Sequence, residues 1–276
     1  MLKKFDKEYN YKDKRPFPYY YQDDILDEDF AKELQKEIME LPLKEFDRYN
    51  NPFEQKYTYR DKNKYPKKLQ ELMEYLTSNE FITYLSEYTG YSLYLDTTKN
   101  FYGVHVYNPG DKLDIHVDAG MHPTLNLKKQ VTLGIYLSYH WKQENGCALE
   151  IWEGDNCTCE MPKLYQCVDK IHPMFNRLIL FTNTDNAWHG NPDSVKIGFD
   201  SDGDPVALYR DPKRIFITLS YLSNYENLVI DNSNMNKKKK AYFIARPGDP
   251  LDIKKDILRK LRADPDKCNE VYRMME

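Results

Sequence analysis

The clearest pattern in the chain is a period of two, in which Val131, Leu133, Ile135 and Leu137 alternate with Thr132, Gly134, Tyr136 and Ser138. Successive side chains of a strand point to opposite faces, so one set packs into a core and the other lines the far face. Similar short runs recur at 101–107, 113–117, 148–152, 177–181, 206–209 and 215–222. Turn residues such as Asn108-Pro109-Gly110 and Asp202-Gly203-Asp204-Pro205 separate them. Many short strands at this spacing predict a mainly β fold with α flanks, built on a jelly roll or related barrel.

Before residue 101 the chain reads as helices with loops between. Phe30, Leu34, Ile38 and Leu41 follow the acidic start Asp27-Glu28-Asp29 and predict a helix over 28–41. Pro66 can open a second helix carrying Leu69, Leu72, Met73 and Leu76. Ser78 can cap a third with Phe81, Ile82 and Leu85, ended by Gly90. After Tyr225 the alternation stops, and the polar stretch ending in Lys237-Lys238-Lys239-Lys240 reads as a solvated linker. Beyond Pro250, Ile253, Ile257 and Leu261 predict a last amphipathic helix. The expected organisation is a helix-rich N-terminal buttress over 1–100, a β core over 101–225, and a linker with a C-terminal helix over 226–276. These parts are expected to form one continuous body.

Composition narrows the class. A chain of 276 residues can bury a sizeable core without cross-links. Its 40 Lys plus Arg against 44 Asp plus Glu leave a formal charge of -4, without the basic excess that drives nucleic-acid affinity, so no nucleic-acid partner is expected. No apolar run approaches the roughly 18 to 20 residues a membrane span needs, and the N-terminus lacks the apolar stretch of a signal peptide. A soluble, cytoplasmic protein is expected, and its oligomeric state is not readable. Five cysteines do not make a disulfide framework in a chain this long. Cys157, Cys159 and Cys167 have neither the spacing nor the fourth ligand of a zinc site, so reduced thiols are the default.

Six histidines can be weighed one by one. His116-Val117-Asp118 places an imidazole and a carboxylate two apart, on one face of a strand. His189, in Trp188-His189-Gly190-Asn191-Pro192, supplies a third ligand from a later strand. Two His and one carboxylate form a facial triad that leaves three positions of an Fe(II) octahedron open, which suits an oxygenase whose co-substrate takes two and O2 the third. The far end of a dicarboxylate co-substrate needs a cation. Alternation puts Arg214, Phe216, Thr218 and Ser220 on one strand face, and an inward arginine is costly unless it grips a carboxylate. Tyr136 can add a phenolic hydrogen bond. Arg210, before Asp211-Pro212, is the alternative anchor. His105 reads as a hydrogen-bonded residue behind the site or in the core, and His122, His140 and His172 as loop or surface residues. Most of the 24 tyrosines are expected to pack with their hydroxyls at the surface.

From Tyr102 to Leu222 the landmarks fall in a recognisable order: Val106-Tyr107-Asn108-Pro109-Gly110, His116-Val117-Asp118, Ile135-Tyr136-Leu137 with Trp141, and Gly146-Cys147-Ala148-Leu149-Glu150-Ile151-Trp152. His172-Pro173-Met174-Phe175-Asn176-Arg177, His189-Gly190-Asn191-Pro192 and the Arg214 strand follow. This segment resembles the Fe(II)/2-oxoglutarate dioxygenases of the prolyl hydroxylase type, whose core is a double-stranded β-helix (jelly roll, cupin-like). The segment Pro16-Phe17-Pro18-Tyr19-Tyr20-Tyr21 resembles the opening of many bacterial and viral members. The resemblance implies His116, Asp118 and His189 as iron ligands, Arg214 and Tyr136 on the distal carboxylate of 2-oxoglutarate, Tyr107 near the iron end of that co-substrate, and Thr218 lining its pocket. It implies Fe(II), 2-oxoglutarate and O2, with ascorbate as reductant. The implied reaction hydroxylates a C–H bond of a prolyl or other amino-acid residue, in a peptide or free, with release of succinate and CO2. Two departures stand out. Gly146-Cys147 replaces the family's Gly-Gly pair, where positive φ is wanted, and the interval from His189 to Arg214 is longer than usual. The same iron chemistry on a sugar or small metabolite stays open. So do a zinc- or nickel-loaded cupin acting as isomerase or hydrolase, which an internally paired Arg214 would favour, and a non-catalytic binding module.

Overall fold

The computed structural model describes residues 2–196, 212–224 and 241–263. In chain order they form β1 (Tyr19–Gln22), α1 (Glu28–Glu40), β2 (Phe46–Asn50), β3 (Gln55–Tyr59), α2 (Lys67–Leu76), α3 (Asn79–Thr89), β4 (Gly103–Tyr107), β5 (Leu113–Val117) and β6 (Leu127–Tyr136). They continue as β7 (Leu149–Gly154), β8 (Leu164–Ile171), β9 (Arg177–Thr182), β10 (Trp188–Asn191), β11 (Arg214–Asn224), β12 (Tyr242–Phe243) and α4 (Ile253–Ala263). Among the described residues, seven strands form one sheet in the order β1-β9-β6-β11-β4-β3-β2 and five form another in the order β12-β5-β10-β7-β8. Neighbours pair antiparallel throughout. The expected jelly-roll core is therefore present. The predicted run over 206–209, Arg210, the turn at 200–205, Lys237–Lys240 and Cys268 lie outside the described residues.

The alternation read along 131–138 organises the larger sheet. Val131, Leu133, Ile135 and Leu137, with Ile215, Ile217, Leu219 and Tyr221 of β11, share one buried cluster with Leu34, Ile38, Leu72, Phe81 and Leu85 of the helices. The intervening residues Thr132, Tyr136, Arg214, Phe216, Thr218 and Ser220 face the opposite way and line a cavity between the sheets. The helices that close the first face are the predicted ones. Leu69, Leu72, Met73 and Leu76 of α2 are all buried. Ser78 accepts a hydrogen bond from the Phe81 N–H, and Gly90 ends α3 at φ 69°.

Other parts of the first hundred residues are extended rather than looped. β1 pairs with β9, and the β2–β3 hairpin widens the sheet beyond β4. Four of the five residues of β2 are exposed, which leaves no alternation to read at this sheet edge. α4 forms where predicted but docks with the opposite face: Ile253 and Ile257 are 66% and 52% exposed. Its contacts are ionic, with Lys255 Nζ 2.6 Å and Arg259 Nη2 3.1 Å from the Asp114 carboxylate. Several tyrosines also depart from expectation. Tyr11 and Tyr221 are fully buried, their hydroxyls bonded to Thr182 Oγ1 and the Leu76 carbonyl. Among the described residues no helix is long and apolar enough to cross a membrane.

Candidate active site and metal centre

His116 and His189 face each other across adjacent strands, since β10 pairs with β5 in a register that sets the two opposite. Their rings lie 4.5 Å apart. Asp118, one residue beyond the end of β5, brings its Oδ1 to 3.4 Å from His116 Nε2 and its Oδ2 to 3.9 Å from His189 Nε2. One ligand atom from each of the three falls within 4.8 Å of the others, the single such cluster among the described residues. Cys157, Cys159 and Cys167 form no disulfide and join no such cluster among the described residues.

Backbone acceptors fix the orientation and the tautomer of both histidines. The Nδ1–H of His116 donates to the Asp114 carbonyl at 2.9 Å and that of His189 to the Ala187 carbonyl at 2.8 Å. A carbonyl can only accept, so the proton is fixed on Nδ1 and each Nε2 lone pair points at the cluster. Burial and the neighbouring His116 push His189 down to about 4, which keeps it neutral. Burial alone would raise Asp118, but Lys129, with His116 and His189, holds it well below the usual carboxylate range. Phe181 packs on His189 and Phe243 on His116, at 4.5 and 5.1 Å between ring centres, and keep bulk water from the imidazoles. Two nitrogens and a carboxylate on one side of an open cavity fit the donor set of a facial Fe(II) site.

Arg214 enters the same cavity, which measures about 360 Å³, within the range of small-molecule sites. Its guanidinium is 2% exposed and boxed by the rings of Tyr107, Tyr136 and Phe216 at 4.6, 5.0 and 5.4 Å. Nη2 donates to the Tyr136 hydroxyl at 3.2 Å. Nε and Nη1 are buried and make no hydrogen bond within the protein. An unpaired buried cation is expensive, and the unpartnered N–H groups on Nε and Nη1 leave the guanidinium with donors to give to a carboxylate. Arg214 is not paired to a protein carboxylate among the described residues, the opposite of what the cupin isomerase alternative required. Thr218 lines the cavity and donates through Oγ1 to the Leu133 carbonyl at 3.1 Å. Cys147 takes the positive φ of the turn, 48°, beside Gly146 at 74°. The turn therefore forms without its second glycine, at about the 1–2 kcal/mol a left-handed residue costs.

Several residues of the site were not legible beforehand. Lys129 Nζ lies 2.6 Å from Asp118 Oδ2. Glu54, just before β3, and Lys56 on it form an ion pair of 3.0 Å in the cavity wall, which Arg262 of α4 also lines. The one available signal was a Lys immediately before an apolar strand, which reads equally well as a solvated strand end. His105 behaves as expected, its Nδ1 2.9 Å from Thr58 Oγ1 beside the cavity. His122 does not: it is buried, with Nε2 3.1 Å from Asp96 Oδ1 and Nδ1 accepting from the Leu125 N–H. Both ring nitrogens are satisfied internally, so burial costs little. His140 is exposed and His172 half-buried, as read.

Residues 102–200 match the sequence profile of the 2OG-Fe(II) oxygenase superfamily, a segment that holds His116, Asp118, His189, Tyr107 and Tyr136 and ends before Arg214. No curated protein matches the chain in sequence. Among solved structures, a Pseudomonas putida prolyl-4-hydroxylase aligns at 14% identity over 76% of this chain and 94% of its own, with a TM-score of 0.52. A Trichoplax adhaerens prolyl hydroxylase, solved with a hypoxia inducible factor oxygen degradation domain peptide fragment, aligns at 17% identity over 77% and 87%, with a TM-score of 0.53. A non-heme alpha ketoglutarate dependent carbocyclase from nogalamycin biosynthesis aligns at 13% identity over 90% and 94%, with a TM-score of 0.51. At these identities the structures share the fold with this chain. Profile, fold and donor set agree that residues 102–200 hold a 2OG-Fe(II) oxygenase domain.

Proposed function

We propose that His116, Asp118 and His189 hold the iron and that Arg214 anchors 2-oxoglutarate, so that the enzyme hydroxylates a C–H bond of a prolyl or other amino-acid residue, in a peptide or free. The observation that carries this reading is the pairing, in one cavity, of the three-ligand cluster with a buried guanidinium that has two N–H groups to give. The Trichoplax neighbour's peptide ligand supports the substrate class. Fe(II), with 2-oxoglutarate and O2, supplies the oxidative chemistry that inserts one oxygen into the substrate and releases succinate and CO2.

The chain's own residues do the rest. His116 and His189 present neutral Nε2 lone pairs, and Asp118 stays ionised under the field of Lys129. The free donors of Arg214 take the distal carboxylate, and the Tyr136 hydroxyl, already on Nη2, orients the guanidinium. Tyr107 and Phe216 wall this end against water, which strengthens the ionic contact. The Tyr107 ring lies against Arg214 and so sits by the distal carboxylate rather than at the iron end the resemblance implied, and Thr218 lines the same cavity. Ascorbate keeps the iron reduced between turnovers. The three parts of the chain, 1–100, 101–225 and 226–276, act as one body, because helices and sheet share a cluster and α4 is tied to Asp114. The test is succinate release from 2-oxoglutarate after oxygen is admitted to protein loaded with Fe(II). Release by the native protein and none by His189→Ala supports the assignment; equal release by both overturns it.

A further inference from the structure

Two glycines of the larger sheet are not required by the backbone. Gly103 on β4 and Gly134 on β6 sit in strands, where glycine costs conformational entropy and packs nothing, and neither takes a left-handed φ. Both stand beside Thr218 of β11, which pairs with Gly103 on one side and Gly134 on the other. At each, a ring occupies the place a side chain would take. A Cβ at Gly134 would lie 2.0 Å from Cζ and 2.1 Å from Cε2 of Phe216, and a Cβ at Gly103 would lie 2.5 Å from Nε2 of His105. These separations are far inside van der Waals contact, so the rings can lie against the sheet only because both positions are bare. His105 is also tethered to Thr58 Oγ1 at 2.9 Å. Phe216 has no polar tether, so the notch at Gly134 decides where its ring lies.

The bare row lies between the two ends of the cavity. Along β11 the residues that line it run Arg214, Phe216, Thr218 and Ser220, with Arg214 at one end. Ser220 pairs with Thr132, and Thr132 with Phe181, whose ring packs on His189, so Ser220 marks the end that holds the three-ligand cluster. A molecule that joins Arg214 to that cluster therefore passes over Phe216 and Thr218. Phe216 is half-buried and has one free direction. The sheet lies beneath its ring, Tyr136 stacks on it at 4.6 Å, and the cluster that includes Ile179 and Phe181 packs against it, which leaves the cavity as its open side. A side chain at 134 would tip the ring into that path.

We infer, on the hydroxylase reading with Arg214 as anchor, that Gly134 is a positioning residue for 2-oxoglutarate: it lets Phe216 lie flat and so keeps open the path from Arg214 to His116, Asp118 and His189. The test is calorimetric titration of the full chain, loaded with Mn(II), with 2-oxoglutarate and with oxalate. Native protein, Gly134→Ala, Phe216→Ala and the double variant are compared. Gly134→Ala should raise the 2-oxoglutarate dissociation constant at least about tenfold in the native background. Where Phe216 is already alanine the same change should cost less than about threefold, because the ring it displaces is gone. Oxalate chelates a metal and carries nothing that reaches Arg214, so its affinity should stay within about threefold throughout. Phe216→Trp, which enlarges the ring and leaves the strand at 134 untouched, should weaken 2-oxoglutarate in the same direction. An equal loss of 2-oxoglutarate in both Phe216 backgrounds, a matching loss of oxalate, or unchanged 2-oxoglutarate affinity in Gly134→Ala or Phe216→Trp overturns the inference and leaves the hydroxylase reading standing. Native protein that binds oxalate but no 2-oxoglutarate defeats that reading, and the inference with it.

Discussion

Arg214→Met separates a ligand-binding arginine from a structural one. In the ligand-free protein the guanidinium makes one hydrogen bond, to Tyr136, and leaves Nε and Nη1 buried without a partner. Two charge-assisted bonds to the 2-oxoglutarate carboxylate are worth about 1.5–3 kcal/mol each, so their joint loss should cost about 3–4 kcal/mol. The dissociation constant for 2-oxoglutarate should therefore rise by about 10²- to 10³-fold. Folding should respond differently. Methionine is of similar length and removes an uncompensated buried cation, which offsets the lost contacts with Tyr107, Tyr136 and Phe216. The ligand-free Tm should stay within about 4 °C of the native value, the equivalent of ~1–2 kcal/mol in a chain this size. Saturating 2-oxoglutarate should raise the native Tm by mass action and leave that of the variant almost unmoved. The assays are 2-oxoglutarate titration in the presence of Mn(II) and thermal melts with and without the co-substrate. An affinity change below about fivefold, or a collapse of the ligand-free fold, would show that the two free N–H groups do not await a carboxylate.

Three further outcomes follow from the same geometry. Tyr136→Phe removes one 3.2 Å bond while keeping the ring that stacks on Phe216, so the 2-oxoglutarate KM should rise about three- to tenfold with little change in Tm; an unchanged KM would remove Tyr136 from the site. His189 ionises near 4 in the metal-free fold, held down by burial and then by His116. An unfolded histidine ionises near 6.5, so as pH falls the unfolded chain takes up its proton first, and about 3 kcal/mol of stability is lost between pH ~6.5 and ~4. Melts of the metal-free protein at pH 7.5 and 4.5 should show that drop, and a flat Tm across the interval would contradict it. Asp114→Asn leaves Lys255 and Arg259 without their shared partner and should weaken the docking of α4 by about 2–4 kcal/mol. Limited proteolysis should then cut within 242–263 before the core, and a native digestion pattern would refute the ionic clamp.

The contrast between β11 and α4 shows where sequence reading succeeds. β11 lies between a layer of helices and a cavity, so its two faces have opposite chemistry and Arg214, Phe216, Thr218 and Ser220 emerge from alternation alone. The cluster of His116, Asp118 and His189 was legible for a related reason: His116 and Asp118 lie two apart, and only the pairing of β10 with β5 was needed to bring in His189. α4 carries just as strong a periodicity, yet its apolar stripe is exposed, because the groups awaiting it are the Asp114 carboxylate and the rings of Phe53 and Phe243. Periodicity locates a helix, whereas its partner decides which face docks. The same distinction covers Lys129, whose meaning lies in the Asp118 carboxylate it meets from the end of another strand. At the sheet edges β2 exposes four of its five residues and β8 half of its eight, which left no clear alternation to read. Reaction class was thus written in short local motifs, while the docked face of α4 depends on a carboxylate more than a hundred residues earlier in the chain.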